Sequence, residues 1–168
     1  MVTRFTVREI PYIIEVMQPQ ALIVLVEDSE HDVNLVRRTF AKAQVAEPIH
    51  VVKSAEEAMA FLENRPPYTD RVKNPMPALI MLDLTLPGMD GFELLKWIRV
   101  QTKFDRVYIV VLTASLNPQD VRHAYELGAN SFLNKPLELA NVGSLLAATR
   151  RPLRWLKTQA EAVPKESA

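Results

Sequence analysis

Glu27 and Asp28 directly follow the aliphatic run Ala21–Val26, and Asp83 lies near the end of a second run, Ala78–Leu84. Thr113 closes the run that starts at Val107, and Lys135 stands just beyond Ser131–Leu133. If the runs are neighbouring parallel strands, three carboxylates, a hydroxyl and an ammonium meet at one rim. Two unit charges ~4 Å apart repel by roughly 4 kcal/mol at an effective dielectric near 20. Three such carboxylates stay ionised and close only beside a cation. Oxygen-only ligands select a hard divalent ion, and a few carboxylates plus water suit Mg2+. A carboxylate beside such an ion can act as a nucleophile and form an aspartyl phosphate. Phosphoryl transfer asks a protein mainly for positioning and charge neutralisation. In that setting Lys135 supplies a mobile positive charge, and Thr113 a hydroxyl able to bond a phosphoryl oxygen.

The elements that must position these groups are legible. The short aliphatic runs, with Ile49–Val52 as the remaining one, lack polar alternation and suit strands buried on both faces of a parallel sheet. Between them lie helical spacings: Val33, Val36 and Phe40; Phe92, Leu95 and Arg99, widened by Leu94 and Ile98; and Leu139, Val142, Leu145 and Leu146. Strand–helix alternation predicts right-handed crossovers with helices on both faces. In such a sheet, ligands sit beyond the carboxyl ends of the strands.

The punctuation agrees. Ser54 with Glu57 reads as a capping box. Asn117-Pro118 reads as a cap and first helical residue, and Gly128 as a helix stop. Asp90 reads as a helix cap. Arg65–Pro77 holds four prolines and is predicted to be a loop, either a functional surface or a tolerated insertion.

Composition narrows the classes. The chain has 168 residues, 48% hydrophobic and 24% charged, which fits one globular domain. Lys plus Arg and Asp plus Glu both number 20, which argues against a broad nucleic-acid footprint. The absence of cysteine removes disulfides, thiol nucleophiles and Cys-based zinc sites, and fits a cytoplasmic location. No apolar run approaches the ~18 residues that cross a membrane. Pro11 and Glu15 interrupt the N-terminal apolar stretch, so it is not read as a signal peptide. The expected organisation is an N-terminal extension over 1–19, one domain over 20–158 and a polar tail over 159–168. An added edge strand from Phe5 to Val16 is the competing reading of the extension.

Four segments together resemble the response-regulator receiver family of two-component signalling. They are Val-Glu-Asp at 26–28, Leu-Asp-Leu-Thr-Leu-Pro-Gly-Met-Asp-Gly at 82–91, Val-Leu-Thr-Ala at 111–114 and Lys-Pro at 135–136. The resemblance covers about residues 20 to 150. It implies a flavodoxin-like doubly wound sheet with strand order 2-1-3-4-5. It implies that Asp83 is the phosphoacceptor and that Mg2+ is held by Glu27, Asp28, Asp83 and the backbone carbonyl of Thr85. Thr113 would be the switch hydroxyl, Phe132 the switch aromatic, Lys135 the family's site lysine, and the Lys135–Pro136 bond cis. Thr85 and Ser115 would flank the pocket where the family tunes phosphoryl lifetime. Glu27 stands where Asp is more frequent in the family, and Phe132 lacks the hydroxyl of the more frequent Tyr. The Pro-rich loop and Arg154-Trp155-Leu156 resemble single-domain regulators that partner phytochrome kinases.

The resemblance therefore implies a stand-alone regulator, not a turnover enzyme. It would take its phosphoryl group from a sensor histidine kinase and signal to a downstream or phosphotransfer protein, with a homodimer as one output and neither nucleic acid nor membrane as a partner. A Mg2+-dependent phosphatase or phosphotransferase is one alternative, but such enzymes want a second carboxylate two residues after the nucleophile, where this chain has Thr85. A phosphorylation-independent binding module is another. His31, His50, His123 and Trp97 are read as structural residues. Trp155 is open between covering an exposed core edge and meeting a partner, and the basic run Arg150, Arg151, Arg154 and Lys157 is read as a solvated helix end, with a docking surface for an acidic partner as the second reading.

Overall fold

The computed structural model of the protein describes residues 22–45 and 47–150. The alternative edge strand at 5–16, Trp155 and the polar tail lie outside the described residues. Strands and helices alternate as β1 (Ile23–Val26), α1 (Glu30–Lys42), β2 (Ile49–Val52), α2 (Ala55–Leu62), β3 (Leu79–Leu82) and α3 (Gly91–Arg99). After a 3-10 turn at Thr102–Phe104 come β4 (Tyr108–Thr113), α4 (Pro118–Glu126), β5 (Ser131–Asn134) and α5 (Leu139–Arg150). All strand pairs are parallel, and the sheet runs β2-β1-β3-β4-β5. This is the flavodoxin-like order that the resemblance implied.

The central strands are apolar on both sides because both sides are covered. Alternate strand residues point to opposite faces. Val24, Val26, Ile80, Leu82, Ile109 and Val111 pack with Phe61 of α2, Leu94 of α3 and Ala124 of α4. Ile23, Leu25, Leu79, Met81, Val110 and Leu112 pack with Val33, Val36 and Phe40 of α1 and Val142 and Leu145 of α5. Leu139 was expected on this apolar stripe, yet it is exposed. It is the first residue of α5, ahead of the turn that meets the sheet. Trp97 packs with its ring 5.9 Å from that of Phe104, a structural role.

The caps explain where the helices begin. Ser29, Ser54, Asp90 and Asn117 each accept a backbone N–H of the helix they precede, with Pro118 at the first turn of α4. Asp90 and Glu93 form a full capping box. At α2 the expected box is altered. Ser54 Oγ accepts from the Glu57 amide, but the Glu57 carboxylate accepts from the Lys53 amide at 2.7 Å and from the Tyr68 hydroxyl. Tyr68 belongs to the Pro-rich loop and also packs edge-on against Phe61 and His50. Arg71 of the same loop donates to the carbonyls of Phe61, Leu62 and Asn74. The loop thus caps the end of α2, as a built part of the fold.

Register delivers the site. Val26 pairs with Val52 and Leu82, Leu82 with Val111, and Thr113 with Asn134. The ladder continues one residue past the strands: the Glu27 amide donates to the Val52 carbonyl (2.9 Å), the Asp83 amide to Val26 (3.1 Å), and the Lys135 amide to Thr113 (2.9 Å). The third strand was expected to reach Leu84. It stops at Leu82, and the Leu84 carbonyl instead accepts the Gly91 amide at 2.9 Å, turning the chain into α3. A Cβ on Gly91 would lie 2.3 Å from the Asp83 carbonyl oxygen and 2.6 Å from Leu84 Cα, so only glycine lets α3 start this close to the Asp83 backbone.

Candidate functional site

The chain leaves β1 through Glu27, and the carboxylate turns back into the rim. Glu27 is 2% exposed and accepts the Ser29 amide on Oε1 at 3.0 Å. Its Oε2 accepts from Lys135 Nζ at 2.6 Å. Asp83, 5% exposed, accepts the Thr85 amide on Oδ1 (3.1 Å) and Lys135 Nζ on Oδ2 (2.8 Å). Asp28 is exposed beside them. One carboxylate oxygen from each of Glu27, Asp28 and Asp83 lies within 4.8 Å of the others. Burial raises the Glu27 pKa, opposed by its hydrogen bonds from Lys135 and Ser29. Burial alone would lower the Lys135 pKa, but hydrogen bonds to Asp32, Asp83 and Glu27 outweigh it and hold the ammonium above the ordinary lysine value.

The donor set fits a divalent cation. Three oxygens from three carboxylates, two of them buried, concentrate negative charge where water is partly excluded. Sulfur and imidazole, the ligands of softer metals, are missing from that trio.

Thr113 is buried at the end of β4, and its Oγ1 accepts the Ser115 amide at 3.3 Å. Ser115 is tied in turn: its hydroxyl donates to Asp120, and its carbonyl accepts Asn134 Nδ2 at 2.8 Å. Phe132 is half-buried against the core under α2, α3 and α4. Thr85 is exposed, with its amide on Asp83. The Lys135–Pro136 bond is cis, and so is Pro66–Pro67. Direct hydrogen bonds therefore unite Glu27, Asp83 and Lys135, while Thr113 and Ser115 form an adjoining network.

Sequence reasoning missed Asp32. It stands in the first turn of α1, and its Oδ2 accepts Lys135 Nζ at 2.8 Å. The available signal was the Ser29-x-x-Asp32 spacing, which puts a carboxylate on the helix turn nearest the strand ends. Gly91 was quoted in a motif without its reason, the close backbone approach described above.

A doubly wound parallel sheet with an acidic cluster and a lysine at its carboxyl rim has the architecture of a receiver-type domain. The sequence profile described as "Response regulator receiver domain" matches residues 23–147, and the chain belongs to that family. Among its relatives, response regulator Rcp1 of Synechocystis sp. is 35% identical over 140 residues, covering 83% of this chain and 92% of Rcp1. The crystal structure of the Mn2+-bound form of Rcp1 has a TM-score of 0.63 at 35% identity, covering 82% of this chain and 96% of that one. The phosphorylated cyanobacterial phytochrome response regulator RcpA has a TM-score of 0.65 at 32% identity, covering 83% and 96%. The bacteriophytochrome response regulator AtBRR has a TM-score of 0.69 at 31% identity, covering 79% and 94%. Among the described residues, no helix is long and apolar enough to cross a membrane.

Proposed function

We propose that the protein is a phytochrome-type response regulator whose Asp83 accepts a phosphoryl group from a sensor histidine kinase in a Mg2+-dependent site. One observation carries this reading: the buried Asp83 carboxylate lies within 4.8 Å of two further carboxylates and bonds Lys135 Nζ at 2.8 Å. Glu27, Asp28, Asp83 and the Thr85 carbonyl would hold the ion. When bound, it neutralises the acids and offers a positive site to phosphoryl oxygens. Asp83 attacks with a carboxylate oxygen as the phosphorus–nitrogen bond of a phosphohistidine breaks, and the imidazole leaves with that electron pair. The Thr85 amide and Lys135 orient the attacking carboxylate, and Lys135 meets the charge that arrives.

The product carries about −1.5 to −2 charges. The Thr113 hydroxyl then turns toward a phosphoryl oxygen, Phe132 swings inward, and the surface of α4, β5 and α5 changes shape. This two-state equilibrium has an expected coupling of ~1–3 kcal/mol. Ser115 and Thr85, at the pocket edge, set how readily water reaches the phosphoryl group. The output is binding: to a second copy, the kinase, or a downstream or phosphotransfer protein. The receiver unit spans 20–158, with the extension 1–19 and the tail 159–168 outside it, and it acts in the cytoplasm as a phosphoacceptor, without turnover of a free substrate.

The test is incubation with acetyl phosphate and Mg2+ followed by intact-mass measurement. A gain of ~80 Da is expected in the wild type and in Asp90→Asn, and none in Asp83→Asn. A gain retained by Asp83→Asn, or none in the wild type, overturns the reading.

A further inference from the structure

Lys135 Nζ has three protons, and three carboxylates take them: Glu27 at 2.6 Å, Asp32 at 2.8 Å and Asp83 at 2.8 Å. The cation-capable trio is a different set: Glu27, Asp28 and Asp83. The two sets overlap at Glu27 and Asp83. Asp28 belongs only to the trio, and Asp32 only to the lysine. Any cation that draws on Glu27 and Asp83 weakens two of the three anchors of the ammonium and leaves the third untouched.

That third anchor is built into the fold. Asp32 accepts from a lysine 103 positions away, on the far side of the chain's topology. Its amide is fixed to Ser29 Oγ at 3.3 Å, the cap of α1. Two turns along the same helix, Thr39 Oγ1 shares its one proton between the Leu35 carbonyl at 3.0 Å and the Leu137 carbonyl at 3.3 Å, while Val36 and Leu137 are both buried in one core cluster. Helix α1 therefore grips the Lys135–Leu137 segment at two points. The pair is partly shielded, with side chains 13% and 28% exposed, and sits beside the apolar Leu35 and Val36, so water competes with it only in part.

We propose that Asp32 is a positioning residue: the dedicated counter-charge of Lys135, which keeps its ammonium at the rim of the phosphoacceptor site while Glu27 and Asp83 are otherwise engaged. The proposal rests on Asp83 being the phosphoacceptor. It extends that reading to the first helix, which becomes mechanically tied to the charge that the phosphoryl group must meet.

The test compares the full chain with Asp32→Asn, Asp32→Glu and Asp28→Asn, each first checked for a cooperative unfolding transition. In one arm, acetic anhydride labels exposed amines and peptide mass spectrometry follows acetylation of Lys135. With Mg2+ present, the Asp32→Asn protein should label at Lys135 about tenfold faster than wild type, whereas without it the remaining two anchors hold the increase to about threefold. In the second arm, phosphorylation by acetyl phosphate should slow about tenfold in Asp32→Asn and recover in Asp32→Glu, while Mg2+ affinity stays within about twofold of wild type. Asp28→Asn should show the converse, weaker Mg2+ binding with Lys135 labelling no faster than in the wild type. Wild-type labelling of Lys135 in Asp32→Asn, or a loss of Mg2+ affinity there equal to that of Asp28→Asn, overturns the proposal. Should the wild type take no phosphoryl group, the phosphoacceptor reading fails, and the labelling arm alone still decides whether Asp32 holds Lys135.

Discussion

At the strand ends, Glu27, Asp32 and Asp83 share the ammonium of Lys135, and the Asp28 carboxylate lies beside Glu27 and Asp83. Around the Pro-rich loop, the charged groups Glu57 and Arg71 each have neutral partners of their own. Glu57 takes the Lys53 amide and the Tyr68 hydroxyl, and Arg71 takes the last carbonyls of α2. There, burial and the bond to Glu57 push the Tyr68 pKa up to about 12, so the hydroxyl remains a donor throughout the physiological range. Both regions are partly buried and both join distant parts of the chain. One is balanced and closes a helix end; the other carries more negative charge than the fold itself answers. Unanswered charge at a sheet's carboxyl rim marks a place for something to bind, whereas answered charge marks structure.

The contrast can be broken by removing the central cation of each region. Lys135→Met leaves buried carboxylates uncompensated and should cost about 3 kcal/mol in denaturant unfolding without divalent ions. Millimolar Mg2+ should recover much of that loss, because an ion that binds only the folded state stabilises it by mass action. Arg71→Ala removes hydrogen bonds to the Phe61 and Leu62 carbonyls and should cost about 1–2 kcal/mol. That cost should be the same with and without Mg2+. Equal Mg2+ responses in the two variants would erase the distinction between the regions.

A smaller effect concerns His50, stacked on Phe61 at 4.7 Å. Burial holds its pKa below the ordinary 6.5, against the opposing pull of Glu57. The unfolded chain therefore binds this proton more readily than the folded one. The contribution of His50 to stability is whole above pH 6.5 and is lost as pH falls from there through the folded value. His50→Phe should flatten this limb of the stability curve, measured by urea unfolding on either side of that pH. A limb of unchanged slope would assign it to other groups.

Most of the architecture was legible because it follows from periodicity. Strands such as Leu79–Leu82 are buried on both faces, so their sequence is continuously apolar and their role unambiguous. The site was legible for the same reason: Glu27, Asp83 and Lys135 each continue a strand ladder by one residue, and position relative to an apolar run is a one-dimensional fact. What escaped depends on three dimensions. Asp32 meets Lys135 only through the rotation of α1 about its axis and the packing of its buried stripe against the sheet. Glu57 departs from the expected box: its two oxygens take the Lys53 amide and the hydroxyl of Tyr68, which comes from a loop with no periodicity. Gly91 is demanded by an interatomic approach that no spacing rule encodes.

The central claim is that the surplus charge at the rim is there to hold a divalent ion against Asp83. Calorimetric titration of the metal-free protein with Mg2+ tests it most directly. About one ion per chain should bind, with binding lost in Asp28→Asn and Asp83→Asn and retained in Arg71→Ala. No binding by the wild type at millimolar Mg2+, or binding undiminished by both Asp substitutions, would contradict it.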